Sequence, residues 1–153
     1  MGPKPKSDRF VEFAREFLRM AQHDLAQAEK ALANSEYSDV VMFAQQSSEK
    51  IAKALLEMEK HFESIHDVSE IFYVVIMKDQ KYQHYYKDFQ IVRKYLRWLA
   101  FQWGKSRYPM LEDGKVISPL DRYDRDFAED AFKKAKYIFE IISKVLNEIH
   151  DIS

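Results

Sequence analysis

Val40-Val41-Met42-Phe43-Ala44-Gln45-Gln46-Ser47-Ser48-Glu49-Lys50-Ile51-Ala52-Lys53-Ala54-Leu55-Leu56-Glu57-Met58 is the stretch from which the fold is read. Val41, Ala44, Ser48, Ile51, Leu55, Met58 and Phe62 recur at spacings of three and four, which sets them on one helix face turned to a core. Ala44, Ser47, Ser48 and Ala52 are small, so a neighbouring helix can approach closely there. A polar rail of Gln45, Glu49 and Lys53 runs up the same helix at spacing four. Glu49 precedes Lys53 by one turn, the order in which a helical ion pair contributes about 0.2–0.5 kcal/mol. The helix thus joins a core seam to a polar rail, and function is expected near the rail.

The flanking chain is read as further helices. Residues 1–7, with Pro3 and Pro5, read as a flexible tail, and residues 8–153 as one domain. Ser7 or Asp8 is a candidate cap for a helix carrying Phe10, Phe13, Phe17, Ala21, Leu25, Ala28 and Leu32. After a short connection over residues 34–38, the central helix is expected from about Tyr37 to His61. Ser64-Ile65-His66-Asp67 is a break with Asp67 as a cap, followed by a short helix burying Val68, Ile71, Phe72, Val75 and Ile76. The β-branched content there leaves a strand as the alternative, but the spacing favours helix. Tyr85, Phe89, Val92, Leu96, Leu99 and Trp103 mark the next long helix, with Gly104 as its terminator. Residues 105–123, with Pro109, Gly114 and Pro119, read as a long loop. Asp124 or Asp126 opens a last helix whose seam is Phe127, Ala131, Ala135, Ile138, Ile142, Val145 and Ile149.

The sum is an all-α fold, an antiparallel up-and-down bundle of four long helices plus one short helix. Composition agrees. Hydrophobic residues make up 46% of the 153 and aromatics 14%, which excludes a disordered chain. Only 3 Gly and 4 Pro are present, too few for a sheet with many tight turns. With 24 basic and 25 acidic residues the net charge is −1, so the basic surplus of a non-specific nucleic-acid binder is missing. There is no cysteine, which removes disulfide, thiolate and cysteine-metal chemistry. No apolar run follows the basic N-terminus and none reaches about 18 residues, so no membrane association and a cytoplasmic location are expected.

Three motifs in order carry a family resemblance. They are residues 45–56 of the central helix, Ile65-His66-Asp67-Val68, and Ser106-Arg107-Tyr108-Pro109, with the amphipathic closing helix after them. Over about residues 8–150 the chain resembles the HEPN domain (higher eukaryotes and prokaryotes nucleotide-binding). The resemblance implies the same bundle, usually as a homodimer, with likeness to the helical domain of kanamycin nucleotidyltransferase. It also implies a nucleotidyltransferase-type protein partner, because small prokaryotic members are often encoded beside a minimal nucleotidyltransferase as a toxin–antitoxin-type pair.

Many members are ribonucleases carrying Arg, four to six residues, then His. Here Arg19 and His23 are separated by three residues and Arg15 and His23 by seven, and no arginine–histidine pair has the family spacing. Metal-independent RNA cleavage needs a base and a cation together at the 2′-hydroxyl. A non-catalytic member is therefore expected, with no cofactor.

The candidate nucleotide-binding residues are Glu49, Lys53, His66, Lys105, Arg107 and Tyr108. Glu49 and Lys53 form either a ligand groove or a surface ion pair. His66 is a ligand contact, or with Asp67 it fixes the turn. Arg107 can grip phosphate with two hydrogen bonds, or pair with a bundle carboxylate while Tyr108-Pro109 covers a helix end. Glu63-Ser64-Ile65-His66 has di-iron spacing but no second copy, so no metal is expected. Tyr95 and Trp98 lie off the main seam of their helix and are expected at a second interface, such as that of a dimer. The alternatives to a nucleotide-binding module are a ribonuclease toxin with a degenerate site and a purely structural dimer.

Overall fold

A computed structural model of the chain describes residues 6–153, with side chains from Arg9 onward. The capping role of Ser7 or Asp8 and the tail at residues 1–5 lie outside the described side chains and residues. Helix α1 spans Lys6–Ala33 and α2 spans Tyr37–Met58, joined by a tight turn with Ser35 in the left-handed region. Helix α2 is the centre of the bundle. It packs most extensively on α1, and also on α4 (Tyr86–Ala100) and α6 (Arg125–His150). Its small residues do what their size allows: Ser47 Oγ donates to the Ala21 carbonyl of α1 at 2.8 Å, which requires close backbone approach.

The central helix is shorter than expected. It ends at Met58 because Lys60 turns left-handed (φ 59°) and the His61 N–H returns to the Leu56 carbonyl at 3.0 Å. Phe62, expected on the buried seam, is therefore outside the helix and 67% exposed.

Asp67, expected as the cap of the next element, sits one residue before its N-cap, Val68, and fixes the turn by accepting from the Ser69 N–H at 3.0 Å. The segment is helical, not a strand: α3 covers Ser69–Ile71 and continues as a π-helical turn over Phe72–Met77. The wider winding buries Val68, Phe72, Ile76 and Met77 and leaves Ile71 and Val75 half-buried. A 3₁₀ turn, Gln80–Tyr85, leads into α4.

Helix α4 ends at Ala100, before Trp103, and the chain continues in tight turns to Tyr108. Gly104 sits inside these turns. Its requirement is space, since a Cβ there would come within 2.7 Å of Met110 Cε. Residues 105–123, expected as a loop, contain an antiparallel hairpin, β1 (Met110–Glu112) and β2 (Lys115–Ile117), and a short helix α5 (Pro119–Arg122). Asp113 and Gly114, both with positive φ, form the turn, the pairing preferred in two-residue hairpins. Arg122 Nη1 reaches Glu112 at 2.9 Å and ties α5 to β1.

Asp124 caps α6 by accepting from the Phe127 N–H at 2.9 Å. Ala131, Ala135, Ile138, Ile142 and Val145 are buried as expected, but Phe127 is only half-buried and Ile149 is 38% exposed. Ala128 and Leu146 complete the seam instead. Trp98 stacks on Phe127 (5.0 Å) and Tyr95 meets Tyr137 edge-on (5.6 Å), so their second interface is the α4–α6 contact of the same chain. Among the described residues no helix is long and apolar enough to cross a membrane.

Candidate functional site

The polar rail of α2 faces the break after α2 and the turns after α4. Glu49 is its hub. One carboxylate oxygen accepts from Lys53 Nζ at 2.9 Å, one turn later on the helix. The other accepts from Gln45 Nε2 at 3.0 Å, one turn earlier, and lies 3.1 Å from His66 Nδ1. Gln45 then accepts from Arg107 Nη2 at 3.1 Å through its own carbonyl oxygen. Arg107 Nη1 donates to the Trp103 carbonyl at 2.8 Å, which fixes the guanidinium against the turn that carries it.

Aromatic surface surrounds these charges. The His66 ring is stacked on Trp103 with centroids 4.2 Å apart and planes 18° from parallel. The Arg107 guanidinium lies over the same indole at 4.8 Å. Tyr108 is 54% exposed, with its ring 6.0 Å from Trp103.

The electrostatics are unbalanced. Lys53 is 9% exposed and Arg107 half-buried, and both face the one carboxylate of Glu49. Asp24, paired with half-buried Lys50 at 2.7 Å, also acts on Arg107, so Lys50, Lys53 and Arg107 stand against Asp24 and Glu49 with one positive charge over, and Asp39 lies in the wall of the adjoining groove. Burial pushes the Arg107 pKa below its ordinary value, opposed by Glu49, Tyr108 and Asp24. A guanidinium held partly out of water without a full counter-charge favours an incoming anion. Beside it lies a groove of about 590 Å³, walled by Ser38, Asp39 and Met42, by residues 106–109 and by residues 118–120.

Of the six candidate residues, the structure brings Glu49, Lys53, His66 and Arg107 into one connected network and sets Tyr108 at its rim. Lys105 is elsewhere: its Nζ lies 3.8 Å from Glu112 and over the Phe101 ring at 4.3 Å. Sequence reasoning left out Gln45 and Trp103 as site residues. Both carried a signal, since Gln45 is one turn before Glu49 and Trp103 one turn before Arg107. Asp24 carried none, because only the packing of α1 on α2 brings it to Lys50.

A profile of the HEPN domain matches residues 14–146, nearly the whole bundle and all of the network. The chain belongs to the HEPN family. It is 31% identical over 140 residues to a Methanocaldococcus jannaschii protein named "Putative toxin MJ1304", covering 90% of this chain and 91% of that one. Two solved structures share the HEPN fold. TT1696 from Thermus thermophilus superposes with a TM-score of 0.62 at 23% identity, over 86% of this chain and 96% of that one. ST0689, described as an archaeal HEPN homologue, gives 0.63 at 20% identity, over 87% and 97%.

Proposed function

We propose that this HEPN domain is a non-catalytic, nucleotide-binding module that works as a homodimer with a nucleotidyltransferase-type protein partner, as in a toxin–antitoxin pair. The observation that supports it best is the surplus positive charge of Lys53 and Arg107 around Glu49, beside an open groove. A phosphate is the group that such a surplus favours, and Arg107 retains an Nε–H and further N–H directions for it. Tyr108, exposed at the groove beside Arg107, offers a face on which a base can stack. The motif spacing that equips HEPN ribonucleases is missing, which favours binding over cleavage.

Millimolar ATP and GTP are expected to raise the thermal midpoint, because a ligand that binds only the folded state stabilises it by mass action. Arg107→Ala abolishes the shift and Lys105→Ala leaves it intact. No shift with the wild-type chain removes nucleotide binding from the reading. Co-purification with a nucleotidyltransferase encoded in the neighbouring gene tests the partner.

The second reading is a ribonuclease toxin. The contact of His66 with Glu49 near Arg107 is the observation that favours it, while the relative's name fits either reading. Metal-free RNA cleavage by purified protein, lost in His66→Ala, would establish it and overturn the non-catalytic reading.

A further inference from the structure

A second concave site lies where the first turns of α1 meet the last turn of α2, and it shares no residue with the network above. Arg9, Phe10 and Phe13 of α1, Glu57 of α2 and Phe62 beyond the end of α2 line a cavity of about 320 Å³. The helical spacing of Phe10 and Phe13 and the seam that includes Phe62 predict all three in the core. Instead Phe13 is 55% and Phe62 67% exposed, and Phe10 is half-buried. Aromatic rings left in water around one hollow mark a surface that contacts something.

Glu57 is the second, independent observation. Its residue is 3% exposed, yet among the described residues its carboxylate has neither hydrogen bond nor ion pair, although it lines the cavity. Arg9 stands at the same rim without engaging it. Burial raises the Glu57 pKa, with His61 pulling the other way. Among the described residues only Arg122 has fully enclosed polar atoms without a partner, so the Glu57 carboxylate is open to the cavity and free to meet a cation there.

We propose that this cavity binds an alkylated ammonium ion, with Glu57 as counter-charge and the three phenylalanines as an aromatic cage. The chemistry selects the class. Phenyl faces attract a cation but accept no conventional hydrogen bond, so a primary ammonium would leave donors unsatisfied while N-methyl groups suit the rings. The volume admits a group of choline size and falls at the small end of ligand cavities.

Calorimetric titration of the full chain with choline tests this, with ethanolamine and decanoate as comparison probes. Choline is expected to bind saturably, with ethanolamine about tenfold weaker. Glu57→Gln, nearly isosteric, and Phe62→Ala, outside the helices, each weaken choline by about tenfold or more, whereas Arg107→Ala changes nothing. No saturable choline binding overturns the proposal. So does binding indifferent to Glu57→Gln, or preference for decanoate, which would make the hollow an acyl site headed by Arg9. Nucleotide shifts in the same preparations report on the other site separately.

Discussion

Replacing Glu49 by Gln is the most informative single change in the network. The glutamine keeps the shape but removes the charge that Lys53, Gln45 and His66 all address. An exposed helical pair of this spacing is worth about 0–1 kcal/mol, whereas breaking a fully buried pair costs about 3–5 kcal/mol. The Glu49 and Lys53 side chains are 13% and 11% exposed, close to buried but with an open edge. A loss of about 2 kcal/mol lies between the limits. For a chain of this size that lowers Tm by roughly 4–8 °C. Urea denaturation and calorimetry measure it directly.

The partner substitution separates charge from shape. In Glu49→Gln the Lys53 cation loses its partner and Arg107 keeps only the more distant help of Asp24, so adding Lys53→Met is expected to recover part of the stability, a non-additivity proper to contacting groups. The same excess charge makes an anion more welcome. Glu49→Gln is therefore expected to bind ATP more tightly than wild type and with steeper salt dependence. A Glu49→Gln protein within about 0.5 kcal/mol of wild type and with unchanged nucleotide affinity would refute the reasoning, because the network would then be a solvated surface pair of the ordinary kind.

Three further outcomes are expected. Tyr82 is fully buried, donates to Glu59 at 2.6 Å and lies 2.6 Å from His150 Nε2, so Tyr82→Phe removes both contacts, leaves Glu59 accepting hydrogen bonds from Lys81 alone, and costs about 1–3 kcal/mol by urea denaturation. Burial depresses the His150 pKa, helped by Lys81 and opposed by Glu59. The folded chain thus binds that proton less readily than the unfolded one, and this contribution to stability is lost as pH falls below about 6.5, visible as a declining Tm in wild type and a flatter profile in His150→Asn. Glu57 has the opposite sign, since its raised pKa destabilises the charged form as pH climbs, and Glu57→Gln is expected to gain stability at pH 7 but not at pH 4.

How far the sequence reaches depends on the range of the interaction. The bundle is legible because the seams of α2 and α6 repeat at helical spacing, and burial of Ile51, Leu55, Ile138 and Ile142 follows that spacing directly. The rail is legible for the same reason, one turn separating Gln45 from Glu49 and Glu49 from Lys53. Legibility fails where backbone chemistry overrides periodicity. Lys60 stops α2, so Phe62 keeps its place in the pattern but not in the core. The hairpin has a readable Asp113-Gly114 turn, but its strands are three residues each, too short for alternation to register.

The His66–Trp103 stack is a different case, because nothing local relates two residues that the fold joins across separate turns. Arg107 is oriented only when Gln45 and the Trp103 carbonyl are both in place, and those come from α2 and from the turns beyond α4. The site is therefore a product of the bundle's packing, and a change that loosens α2 against the chain beyond α4 should degrade nucleotide response before it unfolds the protein. Met110 touches this junction through the space left by Gly104. Gly104→Ala confronts only the flexible end of that side chain, so it should shift the turn and weaken nucleotide binding more than it lowers Tm. Equal loss of both would mean the turn is no more than part of the common core.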